Sequence, residues 1–266
     1  MIKRFHEAPL DIFEKVQKVT EGDYALVHLF KDNPDYFEKF KSAIKKDREV
    51  ILDNSLFELR ETFDSEEYVH WIKELEPTYA IVPDSWKNGE ETARMFFEFL
   101  NKYPRETLPC KLIGVAQGNT LEEVATCYKT IEPYCDKIAF NFDFSSYSGL
   151  PIKGSPLRLR MSIGRYKMLN DLYNKGVINT EKPHHLLGTG VPQECLWYNK
   201  NWTWIDSVDT CNPVIEGIYG TMYDEKLPGM LTKNHTKVCD IIHRPTSKEE
   251  EKRAMFNIKQ MKYYCE

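Results

Sequence analysis

One pattern constrains this chain more than any other. A short apolar run stops at a polar residue or a glycine, and a segment with helical spacing follows. Glu49-Val-Ile-Leu-Asp-Asn54 ends in this way, as do Tyr79-Ala-Ile-Val-Pro-Asp84, Lys111-Leu-Ile-Gly-Val-Ala-Gln-Gly118, His185-Leu-Leu-Gly-Thr-Gly190 and Trp204-Ile-Asp-Ser-Val-Asp-Thr-Cys-Asn-Pro213. Strand-like runs at 24–30, 49–53, 79–83, 111–117, 137–143, 184–189 and 202–208 alternate with helical patterns at 35–46, 65–75, 89–103, 120–134, 162–175 and 191–200. Such alternation predicts βα units around a parallel sheet. With an eighth strand expected near 238–243, the chain reads as an α/β protein, a TIM (β/α)8 barrel forming a single domain over residues 1–266. The rival, a doubly wound open sheet, carries a glycine-rich phosphate loop after its first strand. Here Lys-Asp-Asn-Pro-Asp follows Phe30 instead. The segment from Ser247 to Tyr264 reads as a closing helix, its Lys-Glu-Glu-Glu-Lys-Arg stretch a solvated face.

Composition narrows the class. Hydrophobic residues make up 41% of the 266, enough to bury a sizeable core and too many for a disordered chain. No run reaches the roughly 20 apolar residues of a membrane span, and the start, Met1-Ile-Lys-Arg-Phe-His-Glu-Ala, lacks the apolar stretch of a secretion signal. The expectation is a cytoplasmic protein with no membrane partner. Seven scattered cysteines, none in a C-x-x-C pair, read as reduced packing residues. A net charge of -5 gives no global attraction to nucleic acid, so any such contact must come from a local patch.

In a barrel enzyme, strands deliver their polar groups at their C-terminal ends. The runs above therefore nominate Asp53, Asp84, Gln117 and Asp209. Each also has a plain structural reading. Asp53-Asn54 suits an Asx turn, Asp84 and Asp209 suit helix caps, and Leu187 suits core packing. Asp206 is either a partner of Asp209 or a turn residue and is left out of the core set. His184 and His185 open a strand, the wrong end for barrel catalysis, and are read as packing residues.

Taken in order, Asp53-Asn-Ser-Leu-Phe-Glu58, Pro83-Asp84, Gly114-Val-Ala-Gln-Gly118, Leu186-Leu-Gly-Thr-Gly190 and Asp206-Ser-Val-Asp-Thr-Cys-Asn-Pro213 resemble the guanine transglycosylases, which insert 7-deazaguanine bases into nucleic acid. The resemblance spans Leu26 to Pro213. It implies that Asp209 attacks C1′ of a guanine nucleotide and that a 7-deazaguanine such as preQ0 or preQ1 resolves the covalent intermediate. By the same match Asp53 is the general acid/base, Asp84 accepts from N1 and the 2-amino group of guanine, and Gln117 bonds O6. Phe57 and Leu187 match the positions that sandwich the base; Gly118 and Gly188 match positions where the backbone approaches it. The chemistry asks for these residue types independently. Exchange with retained configuration takes two displacements at one carbon, so one carboxylate must attack while a second acid manages protons.

The chain also departs from that family. It lacks the C-x-C-x-x-C run of the tRNA enzymes' structural zinc, and Cys239 with His243 is too small a set, so no metal and no cofactor is expected. Ser55 and Leu56 replace two glycines after Asp53, and Val214-Ile215 replace a Thr-Arg after the nucleophile's proline. A short zinc-free chain with no separate zinc or RNA-binding domain is closest to the phage-type enzymes, which makes DNA the favoured acceptor. Transfer RNA and a free guanine nucleotide are the alternatives with the same chemistry. A non-catalytic accessory subunit is the alternative of a different class, and a homodimer is one option for assembly. From Phe144 to Asn170 no acidic residue occurs while Lys153, Arg158, Arg160 and Arg165 do, so these four are the candidate phosphate ligands, with a solvated basic face as the plainer reading.

Overall fold

The computed structural model describes residues 1–147, 156–223 and 236–266. Eight strands close into a barrel in chain order: β1 (Lys3–His6), β2 (Gly22–Leu26), β3 (Glu49–Asp53), β4 (Tyr79–Ile81), β5 (Lys111–Val115), β6 (Lys137–Phe140), β7 (His184–Leu186) and β8 (Ile205–Thr210). The pairings of β1 with β8 and of β2 through β6 are parallel. The TIM-barrel expectation therefore holds.

Two elements differ from the sequence reading. The eighth strand lies not near 238–243, where Val238–Ile241 is a 3-10 turn, but at the start of the chain in Lys3-Arg-Phe-His6. Only Phe5 in that segment looks like core. Arg4 and His6 are nevertheless 1% and 2% exposed, which is possible because Arg4 is fully engaged. Its guanidinium donates to both carboxylate oxygens of Glu21 and to the carbonyls of Val19 and Ile258. Burial alone would raise the Glu21 carboxyl, but these Arg4 bonds bring it below its ordinary range. The run at 24–30 is also shorter as a strand, since Val27–Leu29 turns into a 3-10 helix.

The helices are α1 (Phe13–Gln17), α2 (Pro34–Ile44), α3 (Leu56–Leu59), α4 (Ser65–Leu75), α5 (Gly89–Lys102), α6 (Leu121–Ile131), α7 (Leu157–Asn174), α8 (Glu194–Asn199), α9 (Asn212–Ile218) and α10 (Lys248–Cys265). Their starts follow capping chemistry. Asp64, Asn88 and Thr120 each accept from a backbone N–H in the first turn of α4, α5 and α6. Ser247 and Glu250 form a reciprocal capping box on α10. Such caps contribute about 1 kcal/mol each and fix where each loop hands over to its helix.

The chain divides into two compact units. Residues 22–140 and 172–184 form one, built on the ladder β2 to β6; residues 1–21, 141–171 and 185–266 form the other, built on β1, β8, α9 and α10. In the first, Ile51, Leu52, Leu112, Ile113, Ile138 and Phe140 are fully buried, each contributing about 1.5–3 kcal/mol of transfer free energy. In the second, α10 holds the segment after β8 in place. Buried Asn257 donates to the carbonyls of Pro213 and Thr221 and accepts from the Tyr223 N–H. A side chain at Gly217 would collide with the backbone of Ala254, so α9 and α10 touch main chain to main chain. Among the described residues no helix is long and apolar enough to cross a membrane.

Candidate active site

Asp53 is the last residue of β3 and is buried at 8% exposure. Both its carboxylate oxygens are held: Oδ1 accepts from the Tyr24 hydroxyl at 2.9 Å and Oδ2 from the Ser55 N–H at 2.8 Å. The second bond closes an Asx turn, the plain structural reading of Asp53. Ser55 takes the left-handed conformation at φ 60°. That conformation costs roughly 1 kcal/mol or more for a residue with a side chain. Ser55 is tied down by its hydroxyl, which lies 2.8 Å from Nδ1 of His28.

Asp84 follows β4 and meets Gln117, which follows β5. Gln117 Nε2 donates to Asp84 Oδ2 at 2.7 Å and Asn54 Nδ2 donates to Oδ1 at 2.8 Å. The Lys87 N–H fixes the amide the other way round by donating to Gln117 Oε1. Burial pushes the Asp84 carboxyl above its ordinary range, against the pull of the two amides. A buried carboxylate in that condition gains from further N–H donors, and each oxygen has capacity for one more. Asn54, which the sequence reading passed over, is saturated: its second proton goes to the Val82 carbonyl and its Oδ1 accepts from Leu56. It therefore orients Asp84.

Phe57 lies half-buried on α3, with the Trp86 ring tilted against it at 5.9 Å and the Arg60 guanidinium over it at 4.5 Å. Gly118 has φ 149°, and a Cβ there would come within 2.8 Å of Glu123 Cβ and Val124 N on α6. Close helix packing accounts for this glycine.

Asp209, the fifth residue of β8, is organised differently. Gly188 N and His185 Nε2 both reach its Oδ1 at 3.0 Å. Among the described residues no donor reaches Oδ2. Gly188 sits at φ 61°, which turns its N–H toward Asp209; a Cβ would also press on the Phe142 ring at 3.2 Å. His185 is wholly buried, and its Nδ1 lies 2.9 Å from Ser207 Oγ. The expectation that His185 merely packs is thus corrected. Because β7 is three residues long, its middle residue already stands level with Asp209. The sequence Ser207-Val-Asp209 held one usable signal, since its alternation puts both side chains on one face. Ser207, His185 and Asp209 do not make a serine hydrolase triad, because the hydroxyl is the fully buried end of the chain and the carboxylate the open one.

The half-buried Leu187 belongs to a loop clamped from behind. Arg165 donates to the carbonyls of Leu187 and Gly188 and to Glu194 Oε1; Glu194 in turn accepts from the Gly190 N–H and the Tyr198 hydroxyl. This corrects the phosphate assignment of Arg165, which is 0% exposed with its charge spent on Glu194. Burial works against that charge, but Glu194 more than offsets it and the guanidinium is held above its usual pKa. Arg158 is likewise no surface ligand: it is buried and paired with Glu216 at 3.1 Å. Arg160 is half-buried, and Lys153 lies outside the described residues. Among the described residues no group of three or more His, Cys, Asp or Glu side chains could hold a metal ion.

No protein-family model matches the chain, and no curated protein matches it either. Asp209 is a fixed carboxylate with one oxygen that no donor among the described residues reaches, suited to attack. Asp53 is a carboxylate between a hydroxyl and an N–H, suited to exchange a proton. Asp84 with Gln117 pairs an acceptor with an amide, suited to read a base edge.

Proposed function

We propose that this protein is a transglycosylase that exchanges guanine for a 7-deazaguanine base through an Asp209-linked sugar, with DNA as the favoured acceptor. The observation that carries the reading is the one-sided anchoring of Asp209, whose Oδ1 accepts from Gly188 and His185 while, among the described residues, no donor reaches Oδ2. In the first displacement an Oδ2 lone pair forms the bond to C1′ and the C1′–N9 bond breaks. The departing base takes a proton from Asp53. In the second, N9 of the entering base attacks C1′, the Oδ2–C1′ bond breaks, and the N9 proton returns to Asp53. Two inversions give net retention and leave both carboxyl groups as they began. Asp84 and Gln117 fit the guanine edge, with Asp84 accepting from N1–H and the 2-amino group and the Gln117 amide donating to O6. A base without those donors adds no hydrogen bond to the Asp84 carboxylate, whose charge burial already disfavours despite Asn54 and Gln117, and that is the basis for rejecting it.

The test is to incubate the protein with labelled guanine and, separately, guanine-containing DNA, transfer RNA and guanine nucleotide. Label entering DNA supports the full reading. Label entering transfer RNA or the nucleotide keeps the chemistry and changes the acceptor. No incorporation into any of the three contradicts it and favours a non-catalytic accessory role.

A further inference from the structure

His185 does more than pack. Its Nε2 faces a carboxylate oxygen, which can only accept, so Nε2 carries the proton. In the neutral ring Nδ1 is then a bare acceptor for the Ser207 hydroxyl. Nothing in this chain of bonds is free to reorient. Ser207 and His185 are both 0% exposed, and the Phe5 ring meets His185 edge-on at 6.1 Å and 88°.

Building on the proposed transglycosylase reading, we infer that His185 is a positioning residue that keeps the bond between Asp209 and the sugar reversible. The reason is a change of charge on Oδ1. While Asp209 is a free carboxylate, Oδ1 carries half a negative charge and its bonds from His185 and Gly188 are charge-assisted. Once Oδ2 has bonded C1′, Oδ1 is the carbonyl oxygen of a neutral ester and the same two bonds are ordinary ones. A charge-assisted hydrogen bond is roughly twice as strong as a neutral one. The His185 donor therefore favours the free carboxylate over the ester. It makes Asp209 a better leaving group for the second displacement and stops the adduct from becoming a sink. The same two bonds pin Oδ1 and so select Oδ2 as the attacking atom. Ser207 acts one step back by holding the ring in the Nε2–H form; in the other tautomer a lone pair would point at Oδ1.

The inference is tested by measuring, with a guanine-containing oligonucleotide and no entering base, the ratio of covalent adduct to free protein. In His185→Leu the ratio is expected to rise about 5- to 30-fold, the loss of one charge-assisted bond, while turnover with entering base falls. His185→Gln, which keeps a donor near the Nε2 position, should stay within about 3-fold of the wild type on this scale. Ser207→Ala removes one buried hydroxyl and guards against a misfolded leucine variant; its ratio should rise about 2- to 5-fold on the same reasoning. A merely structural role gives the opposite sign, with adduct and turnover falling together, and that result overturns the inference. Nitrogen chemical shifts of the His185 ring give a readout independent of activity, with Nε2–H and bare Nδ1 expected and Nδ1–H contradictory. If the wild type neither exchanges base nor forms adduct, the transglycosylase reading has failed. The ring shifts then still decide whether the tautomer is as inferred.

Discussion

Asp209 and the pair Asp53 and Asp84 are the same functional group at or just beyond strand ends, yet the two regions hold it in opposite ways. In the β8 region Gly188 and His185 converge on one oxygen, and no donor among the described residues reaches the other. In the β3 to β5 region every carboxylate oxygen takes its own donor, from Tyr24 and Ser55 on Asp53 and from Asn54 and Gln117 on Asp84. One-sided anchoring fixes a carboxylate and still leaves it an atom to react with. Two-sided anchoring suits a group that must accept, hold and return protons or hydrogen bonds without forming a covalent bond.

The sharpest way to break this contrast is to remove the open oxygen alone. Asp209→Asn can keep its carbonyl at Oδ1 for both donors and put its NH2 at the open position, so the fold should be unchanged. Base exchange is expected to fall at least about 10⁴-fold, measured as label incorporation. Comparable activity in this variant would mean the open oxygen does no chemistry. Asp53→Asn tests the other side. Its carbonyl can accept from Ser55 and its NH2 can meet the Tyr24 oxygen, so the oligonucleotide should bind with an affinity within a few-fold of wild type. Turnover should drop about 10²- to 10⁴-fold, the usual contribution of a proton-transfer group. Equal losses of binding and turnover would speak against the assignment.

Arg165→Met probes the scaffold behind the Gly188 loop. Removing the guanidinium strands Glu194 and releases two carbonyls of the Gly188 loop, and chemical denaturation should report a loss of about 3–5 kcal/mol. A loss below about 1 kcal/mol would show that the clamp is not needed.

The smallest effect is a pH dependence. Burial first, and Arg4 second, lower the His6 pKa from 6.5 to about 3, while its Nδ1–H donates to the Thr210 carbonyl. A folded-state pKa below the unfolded one means that the unfolded chain binds more protons between these values. His6 therefore contributes nothing adverse above pH 6.5, and stability is lost as pH falls from 6.5 toward 3. The slope from this group approaches about 1.4 kcal/mol per pH unit. His6→Asn places an amide nitrogen near Nδ1 and cannot titrate, so subtracting its pH profile from that of the wild type should isolate the slope. Parallel profiles would refute the burial account of His6.

The barrel was legible where burial and polarity agree. The runs at 49–53, 79–83 and 111–117 end at the predicted polar residues because their interiors are apolar, and Asp84 with Gln117 came out as neighbours. β1 was hidden because its buried residues include Arg4 and His6, whose partners Glu21 and Thr210 the local pattern does not reveal. The basic stretch misled for the same reason: Glu194 is 29 residues from Arg165 and Glu216 is 58 from Arg158, so two buried ion pairs looked like a polyanion surface. His185 was missed because strand length decides which end a residue occupies, and no pattern in His184-His-Leu-Leu187 says that β7 stops after three residues. Periodicity reports which faces are apolar; it carries no information about which distant charge completes a buried pair.

Mapping the sugar itself bears on the central claim most directly. Wild-type protein is mixed with a guanine-containing DNA oligonucleotide, quenched without any entering base, digested, and the modified peptide located by mass spectrometry. The account predicts one modified residue, Asp209, and no adduct in Asp209→Asn. An adduct on Asp53 or any other side chain, or active exchange with no adduct at all, would contradict it.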